Sequence, residues 1–287
     1  MRTLVTGAAG RLGASVCHLL SDRGVEVRAV DLPGLDYSTL APLAHVDVVP
    51  ADLTDAYACA QVMHGVAAIV HLAALLPPRS EISRETTWQV NVEMTRHLIQ
   101  AARKQGEAHL IFTSSVSIYG DTSREVPPVP VSHPTTATDL YSESKIAAEE
   151  IVVHSGLPYT SLRVAGVAVP EFLEPPDPWP FTAEQRLEFV HRDDVALAVA
   201  NCVGNLGVRN RLFNVAGGPT WQMTGADYVH GHFDVYGLDM EEASYQERPG
   251  WFDWYETVEA QRLIGYQRHS WQDYLEELRQ AVESAFA

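Results

Sequence analysis

One eight-residue stretch, TGAAGRLG at positions 6–13, limits the fold of this chain more than any other. It follows a short apolar run at 3–5 and leads directly into a helical pattern that begins near Leu12. Glycines at this spacing are what a strand needs to turn sharply into a helix. Gly7 permits the tight turn, Gly10 lets the backbone approach an anion, and Gly13 lets the helix lie close against the sheet. The free N–H groups at the helix start, around Arg11 and Leu12, then face that anion. The same strand-then-helix unit recurs through the first two-thirds of the chain. Strand candidates at 25–31, 46–49, 68–71, 109–113 and 159–163 alternate with helical patterns at 12–23, 56–64, 86–104 and 139–154. This alternation predicts an α/β fold, a doubly wound parallel sheet with helices on both faces, whose ligand lies at the carboxyl edge of the strands.

Asp31 closes the second strand at about the distance, roughly 20 residues past the glycines, where a dinucleotide ribose would be met. A carboxylate there accepts bonds from both ribose hydroxyls and repels a 2′-phosphate. The expected cofactor is therefore NAD rather than NADP, with Arg11 and Arg28 the nearby charges that would relax the preference. Asp52 and Leu53 after the third strand, and Leu72, Ala73 and Ala74 after the fourth, fall on the same edge. The glycine turn and Asp31 together predict a Rossmann-type dinucleotide-binding domain over 1–165. A proline-rich substrate loop follows at 166–190. The chain then returns to the first domain over 191–216, with a helix from 193 and a strand at 211–215, and a small, discontinuous substrate lobe fills 217–287.

Composition narrows the partners. The chain has 287 residues, 46% of them hydrophobic, and a net charge of −17, which repels nucleic-acid phosphates and anionic lipid surfaces. A soluble enzyme with a small-molecule, carbohydrate-like substrate is the expectation, with neither nucleic acid nor membrane as partner. Cys17, Cys59 and Cys202 are odd in number and far apart, which fits neither a disulfide framework nor a metal cluster, so no metal is expected. The first strand starts too early to leave room for a signal peptide, and no apolar run is long enough for a membrane span; a cytoplasmic setting is expected.

Two later segments carry the chemistry. TSSVSIYG at 113–120 ends the fifth strand, and YSESK at 141–145 opens the next long helix. Tyr141 and Lys145 are four apart and so share one helix face. Removing a hydride from a carbinol carbon requires the alcohol proton to leave, and a phenol with a free pKa of about 10 is too weak a base at neutral pH. A neighbouring ammonium stabilises the phenolate, and a serine hydroxyl, from Ser114, Ser115 or Ser117, can hold the substrate oxygen beside it. A Ser-His-Asp hydrolase is disfavoured because no GxSxG elbow is present. A non-catalytic dinucleotide sensor has no need of the Tyr141/Lys145 pair.

Taken together, TGAAGRLG, the HLAA at 71–74, TSSVSIYG and YSESK resemble the extended short-chain dehydrogenase/reductases, the NAD-dependent epimerase/dehydratase family, over most of the chain. The resemblance implies that Ser115, four positions before the Tyr119-Gly120 pair, is the active serine beside Tyr141 and Lys145. It further implies that Lys145 also reaches the nicotinamide ribose, that Asp52 contacts the adenine, that Ala73 and Ala74 line the cofactor, and that the subunits form a homodimer. Asn91 matches a helix asparagine near the family's cofactor, though a structural cap-like role is equally open, and His71 reads as a structural strand-end residue. Many such relatives are sugar-nucleotide epimerases with arginines on the substrate diphosphate. Here Leu187 occupies the place of one, with Arg186 one step away, and the loop before it is short. Arg248, in RPG, resembles a second diphosphate arginine and is equally readable as a surface residue. The expected activity is reversible hydride transfer at a secondary alcohol of a compact sugar or sugar acid, with a UDP-glucose-type 4-epimerase holding tightly bound NAD as the alternative.

Overall fold

The computed structural model describes residues 2–106 and 108–286. Seven strands form the main sheet: β1 (Arg2–Thr6), β2 (Glu26–Val30), β3 (Val46–Val48), β4 (Val66–His71), β5 (His109–Ser115), β6 (Tyr159–Val164) and β9 (Arg211–Val215). Their order is β3-β2-β1-β4-β5-β6-β9, and every pairing is parallel. The interior strand β5 is buried along its whole length, as a strand covered on both faces must be. One face is packed by α1 (Arg11–Asp22), α6 (Arg192–Cys202) and α8 (Val258–Ile264), through Val16, Leu20, Val195 and Ile264. The other is packed by α2 (Ala56–Val62), α4 (Met94–Gln105) and α5 (Leu140–Val153), through Cys59, Leu98 and Val152. Cys17, Cys59 and Cys202 lie buried in α1, α2 and α6 as free thiols.

The strand order switches sides at β1, which pairs with β2 on one side and β4 on the other. Thr6, the last residue of β1, lies level with Val30 and His71, so the glycine turn opens over the crevice between the carboxyl ends of β1 and β4. That crevice is where an open α/β sheet takes its ligand. The helical stretch expected at 86–104 spans α3 (Arg84–Trp88), a π-helical turn at Gln89–Glu93, and α4.

The stretch 166–190, expected as loop, contains β7 (Gly166–Ala168) and β8 (Arg186–His191), which join β10 (Gln222–Thr224) in a second sheet of order β10-β8-β7. An aromatic cluster lies between this sheet, α7 (Gly225–Tyr236) and α9 (Trp271–Phe286), with Trp179, Phe181, Trp221, Tyr228 and Trp271 buried in it. Trp179 and Trp221 are thus core residues, while Trp251 stacks on Phe252 at 3.9 Å and Trp254 stays half-buried. No helix among the described residues is long and apolar enough to cross a membrane.

Candidate active site

The glycine turn is a cradle that side chains would fill. Gly7 has φ +70°, and a Cβ there would stand 2.8 Å from the Ala73 nitrogen. At Gly13 a Cβ would fall 2.0 Å from the Gly7 carbonyl oxygen. Helix α1 starts at Arg11 with Gly10 as N-cap, which offers no side-chain acceptor, and its first turn holds no acidic residue. Its first N–H groups are left for an external anion, the chemistry a dinucleotide pyrophosphate supplies.

Asp31 sits beside this turn and accepts the Ala9 N–H at 3.1 Å and the Leu32 N–H at 2.9 Å. Arg11 and Arg28 are engaged elsewhere. Arg28 donates to the carbonyls of Val62 and His64, and Arg11 pairs with Glu171 at 2.9 Å. Asp52 is exposed and accepts from the Thr54 N–H and hydroxyl, over a buried Leu53. Leu72, Ala73 and Ala74 are half-buried along the crevice.

A chain of hydrogen bonds fixes the floor. The Ala73 N–H donates to the Thr6 hydroxyl, which lies 2.8 Å from His71 Nδ1, while His71 Nε2 lies 2.9 Å from the Thr95 hydroxyl. Thr95 Oγ1 donates in turn to the Asn91 carbonyl in the π-helical turn, so the ring is neutral with its proton on Nε2. Burial and the Lys145 charge push the His71 pKa down to about 3, which removes it from acid–base work near neutrality. Asn91 serves this scaffold too. Its side chain pairs with both backbone groups of Leu75 and donates to Ser144 Oγ at 2.9 Å. These bonds occupy its polar atoms inside the protein, so it shapes the crevice through the Leu75 loop rather than by facing it.

Ser115, Tyr141 and Lys145 come together at the carboxyl end of β5. Asp139 caps α5 in a reciprocal box with Ser142, and Glu81 accepts the N–H groups of both Leu140 and Tyr141, at 2.9 and 3.0 Å. The tyrosine backbone is thereby held by carboxylates from two segments. One turn on, Lys145 Nζ donates to the Thr113 carbonyl at 2.7 Å and lies 4.8 Å from the Phe112 ring centroid and 5.9 Å from that of Tyr141. Burial pulls the ammonium down to about 8, with Glu149 opposing. Burial likewise raises the Tyr141 phenol, Ser115 works against that rise, and Asp139 adds to it. The Ser115 hydroxyl is oriented by the Ser117 N–H at 3.1 Å and lies 2.9 Å from the Ser117 hydroxyl. Ser114, on the opposite face of β5, is buried with no hydrogen-bond partner for its hydroxyl among the described residues. Ser117 thus orients Ser115. Glu81, Thr95 and Ser144 are the supporting residues that the sequence reading missed.

Tyr141, Lys145, Ser115 and the anion cradle thus lie on one sheet edge, an arrangement suited to a dinucleotide-dependent reaction. Residues 3–178 match the model of the NAD dependent epimerase/dehydratase family. The chain belongs to that family. Its curated relatives include a 3 beta-hydroxysteroid dehydrogenase/Delta 5-->4-isomerase of Mycobacterium tuberculosis, 31% identical over 176 residues that make up 58% of this chain and 47% of the relative. A UDP-glucose 4-epimerase of Azospirillum brasilense is 29% identical over 158 residues, 54% of this chain and 44% of the relative. The chain spans about half the length of the curated relatives it matches. Among solved structures, a dTDP-glucose 4,6-dehydratase of Streptomyces venezuelae with NAD and TYD bound superposes with TM-score 0.84 at 22% identity, covering 99% of this chain and 97% of that one.

In this member of the NAD dependent epimerase/dehydratase family, Arg186 and Leu187 open β8. Leu187 is buried in the aromatic cluster, and Arg186, facing the other way, forms a two-pronged pair with the buried Asp253 at 2.6 and 2.9 Å. Thr122, just beyond the Tyr119-Gly120 pair, donates to the same carboxylate. Arg248 is exposed and makes no hydrogen bond or ion pair among the described residues. His191 is fully buried, stacked on His269 at 4.2 Å, and serves as the N-cap of α6.

Proposed function

We propose that the chain is an NAD-dependent oxidoreductase that moves hydride reversibly at a secondary alcohol or ketone carbon of a compact sugar or sugar acid, by a Ser115-Tyr141-Lys145 mechanism. The grouping of those three side chains beside the glycine cradle carries the reading. Bound NAD would supply the hydride acceptor, its pyrophosphate over Gly10, Arg11 and Leu12 and its adenosine ribose at Asp31. Ser115 Oγ, held by Ser117, donates to the substrate oxygen. The positive charge on Lys145 stabilises the Tyr141 phenolate, whose Oη takes the alcohol proton and becomes the neutral phenol as the hydride leaves the carbinol carbon. Reduction runs the same proton transfer backwards.

The compact-substrate reading rests on β8. Asp253 neutralises Arg186, and a leucine stands at 187, so this strand offers no uncommitted cation to a diphosphate. The exposed Arg248 favours a second reading, a sugar-nucleotide 4-epimerase, because its guanidinium pairs with no group among the described residues and can clamp a phosphate or a carboxylate. One panel tests both. Free aldoses, uronic acids, UDP- and dTDP-sugars and a 3β-hydroxysteroid are presented with NAD, and NADH formation and product stereochemistry are followed separately. NADH formation with free sugars or sugar acids is expected. Reaction of nucleotide sugars alone, with inversion and no net NADH, overturns the compact substrate, and turnover of the steroid alone overturns the carbohydrate.

A further inference from the structure

Between β7 and the buried Trp179 the chain runs through Pro170, Pro175, Pro176 and Pro178 without regular structure. Both ends are fixed: Ala168 pairs with His191 in the small sheet, and the Trp179 N–H donates to the Ser244 carbonyl. Between these anchors a single carboxylate reaches across to the cofactor edge. Glu171 Oε2 pairs with Arg11 Nη2 at 2.9 Å, and Glu171 Oε1 with Arg192 Nη1 at 3.3 Å. Arg11 is the first residue of α1, beside the N–H groups that face the anion site, and Arg192 opens α6, where it also pairs with Asp193 at 2.8 Å. Next to Glu171, Phe172 packs edge-on against Tyr236 of α7 and Phe286 of α9, at 5.7 and 5.1 Å. The segment is therefore fastened to the second sheet's helices by an apolar contact and to the glycine turn by a polar one.

We infer that Glu171 belongs to the cofactor site, as the tie of a strap that must release Arg11 for a dinucleotide to enter or leave. The inference rests on the assignment of the glycine turn to the dinucleotide. Two features support a tie over an incidental surface pair. One carboxylate bridges two arginines from different elements, which fixes its position better than a lone exposed pair would. An uncompensated carboxylate at the mouth of a pyrophosphate site would repel the ligand, whereas with Arg11 between them the strap closes over the anion without that penalty. A gate of this kind slows entry and exit together and leaves affinity nearly unchanged.

The test uses the full chain and NADH, whose fluorescence reports binding without any need for the substrate. Association and dissociation rates are measured by stopped flow for the wild type and Glu171→Gln, which keeps the side-chain shape and removes the charge. Both rates should rise together, by about three- to tenfold, with the dissociation constant unchanged within about twofold. Unchanged rates overturn the tie. Faster entry with slower exit also overturns it, since Glu171 would then be competing with the pyrophosphate for Arg11. Failure of the wild type itself to bind NADH overturns instead the cofactor assignment on which the inference rests.

Discussion

Lys145 shows how burial and function oppose each other in one residue. Its ammonium is 3% exposed, held by one backbone carbonyl, and drawn down to about 8 by burial. In the unfolded chain the same group titrates near its ordinary 10.5. Between those two values the unfolded state binds a proton that the folded state does not, so stability rises with pH across that window, and the cost of the buried charge is borne in full below it. Lys145→Met removes the effect. Denaturant titrations from pH 8 to 10.5 should show the wild type gaining stability over the variant by up to about 1.4 kcal/mol per pH unit, the value of one proton. Parallel curves would mean that the lysine is not desolvated. The placement of Tyr141 and Lys145 on one helix face was legible because their spacing is itself a geometric statement about a helix. Glu81 was not. Nothing in RSEIS marks a carboxylate that will accept two N–H groups some 60 positions away, because the contact exists only once the 3-10 turn at Arg79–Glu81 has packed against α5.

At the scale of elements, the strands read from the sequence lie within about two residues of those observed, since both-face burial writes itself as runs of apolar, β-branched residues. The π-helical turn that carries Asn91 was hidden, because one extra residue in a helical turn hardly disturbs a 3.6-residue period. Prolines masked β7 and β8, whose flanks they dominate while sparing the six residues of β8 itself. The β1-to-α1 turn makes a sharp demand of its own. A methyl group at Gly13 would collide with the Gly7 carbonyl at 2.0 Å, while one at Gly10 meets that same oxygen at 3.3 Å, a contact that small adjustments relieve. Gly13→Ala should therefore lower the unfolding free energy by about 1–3 kcal/mol, more than Gly10→Ala does. It should also weaken NADH binding by opening the turn. Equal unfolding midpoints for the two variants would show that α1 does not need its close approach to the turn.

For the whole molecule, alternation of strand and helix was enough to read a doubly wound parallel sheet with helices on both faces, while its strand order, which switches at β1, emerges only in the folded chain. How the second sheet meets the first was beyond reach. That docking depends on pairs such as Arg186 with Asp253, 67 positions apart, whose partnership no local pattern announces. On the proposed reading the same pair withholds Arg186 from a substrate phosphate, a contact between distant residues that left the substrate less legible than the fold and cofactor. The proposed chemistry turns on Tyr141 as the base for hydride transfer to NAD. Its most direct test is Tyr141→Phe, with turnover of the best substrate from the panel and NADH affinity measured on the same preparation. Turnover should fall by about a thousandfold or more while NADH affinity stays within about twofold of the wild type; near-wild-type turnover in the variant would contradict the claim.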